Sequence, residues 1–457
     1  MLKEVKRALF ALSDKSGAEN FVRFLIEREV EVFASDGTAK YLEDKGLKVK
    51  RLSLITGFSE RCGGRVKTLN EEVFSRILCR PGDPEFSEKF DLVTVDLYPF
   101  KGFKSIDNID IGGVALLRAS AKNFENVIVV CDKKDYDFIM RRLDEEGSLS
   151  LEERKKLAFK AFRKTMLYDF EISLWIGQGG NVLSLRYGEN PHQSGFFYPL
   201  SDGTPFYYYG DKPISFNNIL DAYRAWLVVR EFDEPACAII KHASPCGVAI
   251  ASSSEDAFLK AFECDPVSAY GGIVAFNVFP SREALGLVEK KFFDLLVLPD
   301  LPDIPLNRRY LVPKSWDVEW DLKVAFSGVL VQEPDRGFNF EGVVDKDAIF
   351  AFKVVKHLYS NAIVVAKNGA TLGLCGGQPS RIYAVKIALE RAKGKCSGGV
   401  LASDGFFPFT DSIDEANKYG IRLVIAPKGS KKDDEVRRRA EELGIDLIFV
   451  EDRHFRH

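Results

Sequence analysis

The chain has 457 residues, of which 46% are hydrophobic, so it can bury more than one core. Lys and Arg number 64 against 67 Asp and Glu, and the net charge of -3 gives no excess positive field to attract a nucleic acid. No uncharged apolar run reaches the roughly 20 residues that a membrane span needs, and residues 1–12 carry no export signal. The composition therefore predicts a cytoplasmic protein of two or more domains, with neither a nucleic acid nor a membrane as partner.

The cysteines and histidines argue against a metal centre. The 8 cysteines are scattered without a CxxC pair, and only 5 histidines are present. This usage fits reduced thiols and offers no ligand spacing for a transition metal. We therefore predict no metal site.

The first part of the chain, from Arg7 to about Ile139, alternates strand-like and helix-like stretches. Short apolar or β-branched runs such as RALFAL, EVEVFAS, DLVTVDLYPF and NVIVVCD are separated by charged stretches such as AENFVRFLIERE. This alternation is typical of a parallel sheet with helices on both faces. We predict an α/β domain here.

A long helix and a domain boundary are predicted next. Ser150 is followed by Glu residues and then by apolar residues at helical spacing up to Gly177, where the sequence GQGG begins. Serine is a favoured N-cap and glycine ends helices, so one helix is expected from Ser150 to Gly177. We place the boundary near residue 180, between domains 1–180 and 181–457. The second domain also reads as α/β, and no internal sequence repeat is found.

Loops rich in hydroxyls, glycine and charge follow the predicted strands of the first domain. SDKSG (13–17) follows the first strand and SDGTAK (35–40) the second, where a helix N-terminus suits a phosphate. For either loop alone, ordinary helix capping is the better explanation. GGRVKT (63–68) adds two cations and a hydroxyl, while 96–100 and 109–113 add a phenol and carboxylates. Together these residues exceed what capping requires.

In chain order, the strings SDKSG, ASDGTAK, ITGF, GGRVKTL, DLYPF, IDIGGVALLRASAKN and VVCDKKDY resemble the IMP cyclohydrolase domain of the bifunctional purine-synthesis enzymes, which has a methylglyoxal-synthase-like fold. The resemblance implies an intramolecular attack of a carboxamide nitrogen on a formyl carbon with loss of water, which needs positioning and proton transfer rather than a metal. The residues implied to hold the phosphate and ribose are Ser13, Lys15, Ser35, Gly37, Thr38, Arg65, Lys67 and Thr68. Those implied to surround the closing ring are Lys67, Tyr98, Asp110 and Lys122.

This domain departs from the family pattern in two places. Asp36 stands where the family usually has glycine, and its charge would repel a phosphate unless it points away. Asn70 and Glu71 stand where the family usually has His-Pro. Any role of that histidine is therefore absent here.

In the second domain, a strand-like run ends in the adjacent Lys241 and His242. A lone histidine at a strand end is more often structural. An adjacent cation and base, followed by a predicted turn at Pro245 to Gly247, favour a ligand site, because open α/β sheets bind ligands at the carboxyl ends of their strands.

The strings RYGENPHQ, KHASPCG, SAYGG, YSNAIVVAKNG, GGQPSR, SDGFFPF and the terminal RHFRH resemble the AICAR transformylase half of the same enzymes, for which a larger α/β region of cytidine-deaminase-like type is expected. The resemblance implies that His242 is the general base for the attacking amine and that Lys241 stabilises the developing charge. The implied nucleotide contacts are Arg186, Tyr187, Asn218, Gly271, Asp294, Asn361, Arg381, Phe406 and Arg453. The implied folate contacts are Ile382, Asp411, Lys428 and Gly429.

The two resemblances together imply the last two steps of IMP synthesis: formyl transfer from 10-formyltetrahydrofolate to AICAR, which gives FAICAR, and cyclisation of FAICAR to IMP. They also imply a homodimer. Arg456 departs from the family, which usually has histidine there, and the segment between Lys393 and Ser403 is shorter than in animal relatives. The sequence leaves open whether a monovalent cation binds and whether the formyl donor is the folate or free formate.

Two alternatives are kept. In one, the chain is a monofunctional transformylase whose first domain is a non-catalytic nucleotide or anion sensor, since a fold does not settle function. In the other, it is a structural or RNA-binding protein, which the balanced charge disfavours.

Overall fold

The computed structural model describes residues 4–58, 61–178, 180–303 and 306–457. The chain divides into two compact units, and the division falls after Gln178. Unit 1 is the part before this division and unit 2 the part after it. Among the described residues, no helix combines the length and the apolar character needed to cross a membrane.

The described residues of unit 1 form a parallel sheet and its helices. The strands are β1 (Arg7–Leu12), β2 (Glu31–Ala34), β3 (Lys50–Arg51), β4 (Leu92–Asp96) and β5 (Ile128–Val130). The α-helices are α1 (Ala18–Glu27), α2 (Asp36–Asp44), α3 (Ser53–Thr56), α4 (Glu71–Leu78), α5 (Gly112–Lys122), α6 (Tyr136–Glu146) and α7 (Leu151–Gly177). The strand order is β3-β2-β1-β4-β5 and every neighbouring pair is parallel. The predicted parallel sheet is confirmed.

The predicted long helix is also confirmed, as α7. The Ser150 side chain accepts the Glu153 N–H at 3.3 Å, while the Glu153 carboxylate accepts the Ser150 N–H at 2.8 Å. This reciprocal capping satisfies backbone groups that a helix start leaves unpaired. Leu157, Ala158 and Ala161 of α7 are buried in the core of unit 1. The helix therefore belongs to the first unit as a packed element.

Unit 2 has a larger set of elements. Its described strands are β6 (Leu183–Ser184), β7 (Phe196–Phe197), β8 (Phe206–Tyr209), β9 (Ala236–Lys241), β10 (Ser244–Ile250), β11 (Ile273–Phe276), β12 (Leu295–Val297), β13 (Tyr310–Pro313), β14 (Asp321–Ala325), β15 (Gly328–Gln332), β16 (Ile363–Lys367), β17 (Ala370–Cys375), β18 (Val400–Ser403), β19 (Leu423–Pro427) and β20 (Asp446–Val450). Its described α-helices are α8 (Phe216–Val229), α9 (Ser254–Cys264), α10 (Arg282–Glu289), α11 (Lys346–Val355), α12 (Arg381–Arg391), α13 (Asp411–Lys418) and α14 (Asp433–Glu442). An 11-stranded sheet has the order β20-β19-β18-β16-β17-β10-β9-β11-β12-β13-β8, and β14-β15 and β6-β7 are separate pairs.

The large sheet contains an internal repeat that the sequence analysis did not detect. The order helix, β-hairpin, helix, strand, helix, strand occurs first as α8-β9-β10-α9-β11-α10-β12 and again as α11-β16-β17-α12-β18-α13-β19. The two hairpins meet at the centre, where Ala249 of β10 pairs antiparallel with Ala370 of β17. One hydrophobic core contains Val248 of the first half and Val364 of the second. The mixed α/β architecture agrees with the prediction, whereas the finer cytidine-deaminase-like assignment stays a prediction.

Candidate active sites

The predicted phosphate loops of unit 1 lie at one edge of its sheet, at the carboxyl ends of β1, β2 and β4. The Ser13 N–H donates to the Asp96 carbonyl at 3.3 Å, and the Lys15 ammonium donates to the Ser13 carbonyl at 3.0 Å. Ser35 is the N-cap of α2, and its hydroxyl donates to the Thr38 hydroxyl at 3.1 Å. The structure therefore brings Ser13, Lys15, Ser35 and Thr38 to the same edge of the sheet.

Asp36, the unusual acid of this loop, is held by neighbouring side chains. It is the first residue of α2 and precedes the exposed Gly37. The Ser53 hydroxyl donates to its carboxylate at 3.4 Å, and its charge also acts on Arg51. Its negative charge is therefore partly offset within the β3–α3 segment.

The start of α5 meets two predicted site residues of unit 1. A Cβ added to Gly112 would lie 2.6 Å from the Thr68 hydroxyl oxygen. A Cβ added to Gly113 would lie 2.6 Å from a carboxylate oxygen of Asp110. The Asp110 carboxylate also accepts the N–H groups of Gly113 at 2.6 Å and of Tyr98 at 3.2 Å. Thr68, Tyr98 and Asp110 therefore meet around a glycine pair that leaves room for them.

Burial raises the pKa of Asp110, although the two N–H groups that it accepts act in the opposite direction. Tyr98 keeps 49% of its surface exposed, and its backbone N–H is the group that meets this carboxyl. Tyr168 of α7 was not predicted: its hydroxyl accepts the Asp110 N–H and donates to the Asn108 carbonyl, both at 2.9 Å. No motif marks Tyr168, since in the sequence it is one more large residue of a helix.

The three remaining cations predicted for this site lie on two segments of unit 1. Arg65 and Lys67 follow the glycine turn 63–64, with Arg65 exposed and Lys67 half-buried. Lys122 is the last residue of the 11-residue helix α5, whose first residue is Gly112. That helix is about 16 Å long, so Lys122 and Gly112 lie at its opposite ends. The place of Lys122 in the site stays a prediction.

Further charged residues of this edge were missed. Lys164 of α7 donates to the Asp96 carboxylate at 3.3 Å and to the Cys131 carbonyl at 2.7 Å. Lys133 pairs with Asp14 at 2.8 Å and, by hydrogen bonding, holds the pKa of that carboxyl below its ordinary value. Asn70, which replaces the family histidine, caps α4 by accepting the Glu72 N–H at 2.9 Å. That departure therefore has a structural role.

In unit 2, Lys241 ends β9, and His242 and Ala243 alone form the turn to β10. Both turn residues have φ of 56°, which is the left-handed region that a type I′ turn requires. A non-glycine residue costs about 1–2 kcal/mol there. The predicted turn after His242 was wrong, because Pro245 and Gly247 lie within β10. Gly247 is needed there, since a Cβ would lie 2.0 Å from the carbonyl oxygen of Ala261.

This turn presents His242 to solvent, whereas Lys241 is half-buried. The Lys241 ammonium donates to the Tyr270 carbonyl at 2.8 Å, directly before Gly271, whose φ is 73°. A cation and an imidazole therefore stand together at an accessible strand end. The two side chains are not sealed in the core.

Asp221 of α8 contacts this turn, and no role was predicted for it. Its carboxylate accepts the Ala243 N–H at 2.6 Å and the His242 N–H at 3.3 Å. Burial raises its pKa, while the two N–H donors and the charge of His242 act to lower it.

Two predicted nucleotide contacts, Asn218 and Asp294, are joined directly. The Asn218 amide donates to the Asp294 carboxylate at 2.6 Å. Arg309 donates to Asp294 at 2.7 Å and to the Asn218 side-chain oxygen at 3.0 Å. Arg309 was not predicted, because it lies outside every motif and is 91 residues from Asn218.

Arg381 and Asn361 are likewise brought together. Arg381 is only 8% exposed, and it pairs with Asp404, which is fully buried. Its guanidinium also donates to the Ser403 hydroxyl at 2.8 Å and to the Asn361 side-chain oxygen at 2.6 Å. The Ser360 hydroxyl donates to the same Asp404. Asp404 is therefore the buried counter-charge of this cluster, and its signal was its place in SDGFFPF.

The C-terminal segment lies against this cluster. The guanidinium groups of Arg381 and Arg453 lie 5.9 and 4.3 Å from the Phe455 ring centroid. His454 is 3% exposed and is anchored by Asp335, 2.8 Å from its Nδ1. Arg456, the other departure, donates to the His357 carbonyl at 2.6 Å, and burial lowers its pKa to about 10.

The remaining predicted contacts are more dispersed. The guanidinium of Arg186 lies 5.3 Å from the Tyr187 ring centroid, and Arg186 is exposed. A Cβ on Gly429 would lie 3.9 Å from the Phe406 ring, so these two positions adjoin. The other predicted folate contacts are Ile382, half-buried on α12, Asp411, exposed at the start of α13, and Lys428, paired with Glu451. Among the described residues, no group of three or more His, Cys, Asp and Glu side chains is arranged to hold a metal ion.

A parallel-sheet unit with phosphate-type loops, followed by a mixed-sheet unit with an accessible Lys-His hairpin, defines a two-domain α/β enzyme. The model of the AICARFT/IMPCHase bienzyme family matches residues 120–391, and that of the MGS-like domain matches residues 17–121. The chain belongs to the AICARFT/IMPCHase bienzyme family. The methylglyoxal-synthase-like fold of the first domain is thereby confirmed.

Two similar proteins support the same assignment. The bifunctional purine biosynthesis protein PurH of Persephonella marina is 39% identical to this chain. The match covers 99% of this chain and 100% of the Persephonella marina protein. The protein of the same name from Clostridium perfringens is 40% identical, with the same shares covered. A solved structure titled "Crystal structure of ForH" is 35% identical and has a TM-score of 0.34. The match covers 38% of this chain and 100% of the chain in that structure.

The family assignment settles the enzyme class. The chain is a bifunctional enzyme with AICAR formyltransferase and IMP cyclohydrolase activities, as predicted, and the formyltransferase uses a folate-type cosubstrate. The alternative of a single activity with a sensor domain is not favoured, because the matching family is a bienzyme.

Proposed function

We propose that domain 181–457 transfers the formyl group and that domain 1–180 closes the purine ring. The two reactions are the last two steps of IMP synthesis: AICAR is formylated to FAICAR, and FAICAR cyclises to IMP with loss of water. We propose 10-formyltetrahydrofolate as the formyl donor. The observation that supports this division most strongly is the exposed His242 beside Lys241 at the end of β9.

In formyl transfer, His242 takes a proton from the aromatic amine of AICAR as the amine attacks the formyl carbon. Imidazole suits this task because it can accept and release a proton near neutral pH. Lys241 stabilises the negative charge that develops on the formyl oxygen. The bond from the formyl carbon to the folate nitrogen then breaks, and that nitrogen takes up the proton from His242 as tetrahydrofolate leaves. The contact of Lys241 with the Tyr270 carbonyl uses only one of the three N–H donors of the ammonium group.

The nucleotide is proposed to bind between two polar clusters of unit 2. One cluster is formed around Asn218 and Asp294, and the other around Asn361 and Arg381. Arg186 and Arg453 contact its phosphate, and the exposure of both guanidinium groups leaves their forked donors available. The other proposed nucleotide contacts are Tyr187, Asn218, Gly271, Asp294, Asn361, Arg381 and Phe406. The proposed folate contacts are Ile382, Asp411, Lys428 and Gly429.

In ring closure, the carboxamide nitrogen and the formyl carbon belong to one molecule, so the site mainly fixes a conformation and moves protons. The phosphate and ribose are proposed to lie against Ser13, Lys15, Ser35, Gly37, Thr38, Arg65 and Thr68. Lys67, Tyr98 and Asp110 act on the closing ring. Asp110 supports this role, because its raised pKa lets it hold a proton more readily than an ordinary carboxyl. Lys122, the last residue of α5, is proposed to act on the closing ring as well.

The family resemblance supports two further proposals, that the chain works in the cytoplasm and that it is a homodimer. Sedimentation of the purified protein tests the second, and a species with the mass of one chain that is fully active would contradict it.

The division of labour is tested by mixing AICAR with 10-formyltetrahydrofolate and measuring tetrahydrofolate and IMP separately. We expect His242→Ala to lower formyl transfer by about 10²–10⁴-fold, the usual contribution of a general base, while added FAICAR still cyclises at the normal rate. Lys67→Ala should slow the cyclisation of FAICAR and leave formyl transfer at its normal rate, because Lys67 lies in unit 1. Equal loss of both activities in either variant would contradict the proposal.

A further inference from the structure

We infer that Asp221 is a positioning residue for formyl transfer, which holds the His242-Ala243 turn in the conformation that presents the His242 imidazole. The inference rests on the proposed role of His242 as the general base. The two carboxylate oxygens of Asp221 accept the N–H groups of Ala243 and His242, at 2.6 and 3.3 Å. Asp221 is 21 residues away in the chain, so this contact is tertiary.

The turn needs such support because of its residues. Type I′ turns place both central residues at positive φ, where asparagine and glycine are favoured. His242 and Ala243 both have φ of 56°, and neither is of the favoured type. Strained backbone of this kind persists only where surrounding contacts determine it.

The second half of the repeat provides an internal reference. The turn between β16 and β17 consists of Asn368 and Gly369, with φ of 53° and 68°. Asp347 of α11 accepts their N–H groups at 2.9 and 2.8 Å. At each hairpin, therefore, one carboxylate accepts both N–H groups of the turn. The first hairpin has His-Ala in place of the favoured Asn-Gly pair, so the carboxylate there supports a reactive side chain.

Asp221→Ala tests the inference. The turn should relax, and a displacement of about 1 Å at the base is enough to lower kcat for formyl transfer by about 10²-fold. The KM for AICAR and the cyclisation of FAICAR should stay near their normal values. The matched control is Asp347→Ala, which removes the equivalent carboxylate at the second hairpin and should leave kcat for formyl transfer unchanged.

A rescue separates positioning from a general loss of structure. Glycine adopts positive φ without strain, so Ala243→Gly in the Asp221→Ala background should recover most of the lost kcat. Asp221→Asn retains one acceptor oxygen and should show an intermediate loss; it carries the test if Asp221→Ala does not fold. Normal kcat in both Asp221 variants, or no recovery with Ala243→Gly, would overturn the inference.

The same experiments distinguish this inference from the proposed function. If His242→Ala abolishes formyl transfer and Asp221→Ala does not, the positioning role falls and the proposed function stands. If His242→Ala is fully active, the proposed function itself falls. In the His242→Ala background, Asp221→Ala should add no further loss, because both changes act through one imidazole.

Discussion

The two units place their candidate sites at strand ends, but they hold charged side chains in different ways. In unit 1, the Lys133 and Asp14 side chains pair while 53% and 56% exposed. In unit 2, the paired Arg381 and Asp404 side chains are 7% and 0% exposed. An exposed pair contributes little to stability, whereas a buried charge that loses its partner is strongly destabilising. Site and stability are therefore more closely linked in unit 2 than in unit 1.

Close packing around the two sites differs as well. In unit 1, Gly113 makes room for the carboxylate of Asp110, a side chain that can move. In unit 2, Gly247 makes room for the backbone carbonyl of Ala261, which cannot rotate away. An overlap created by a Cβ at Gly113 can therefore be relieved by a side-chain movement, whereas one at Gly247 cannot.

The largest expected effect tests the buried pair. Asp404→Ala leaves the Arg381 guanidinium buried without its counter-charge, so the free energy of unfolding of unit 2 should fall by about 3–5 kcal/mol. Asp14→Ala in unit 1 should change stability little, because that pair is exposed. Urea unfolding followed separately for each unit measures both. Similar losses in the two variants would remove the contrast.

A smaller effect is expected from added methyl groups. Gly247→Ala should lower the stability of unit 2 by about 1–3 kcal/mol, because the new Cβ overlaps a backbone atom in a packed region. Gly113→Ala, whose Cβ meets only the Asp110 side chain, should cost less stability but slow ring closure as that carboxylate is displaced. Thermal unfolding and FAICAR cyclisation measure the two effects. A greater loss of stability in Gly113→Ala would reverse the comparison.

The smallest expected effect concerns Tyr168, which links α7 to the ring-closure site. Tyr168→Phe removes the acceptor of the Asp110 N–H and the donor to the Asn108 carbonyl. Loss of such hydrogen bonds should cost about 1 kcal/mol in unit 1 and slow cyclisation modestly. Formyl transfer serves as the control and should be unchanged. An equal slowing of both reactions would show that the two sites are not independent.

Local patterns carried much of the fold prediction. Contiguous apolar runs predicted β1, β4 and β9 because such runs make buried strands, and Ser150 predicted the start of α7 because capping is local. Sheet order and the internal repeat could not be predicted, since they depend on pairings such as Ala249 with Ala370.

The candidate sites were predictable only where motifs mark them. Lys241 and His242 end a strand, as expected, but their turn was placed too late in the sequence, because a left-handed conformation at His242 depends on the distant Asp221. Arg309 and Tyr168 make their contacts across 91 and 58 residues and belong to no motif.

The shared core of the two repeated halves limits how unit 2 can be divided. Val248 and Val364 come from different halves and lie in the same buried cluster, beneath the strands that join the halves. A fragment that carried only one half would expose this apolar interior and a long unpaired strand edge, which is a template for aggregation. The duplicated architecture is therefore not modular: each half completes the other, and the transferase region must be expressed intact.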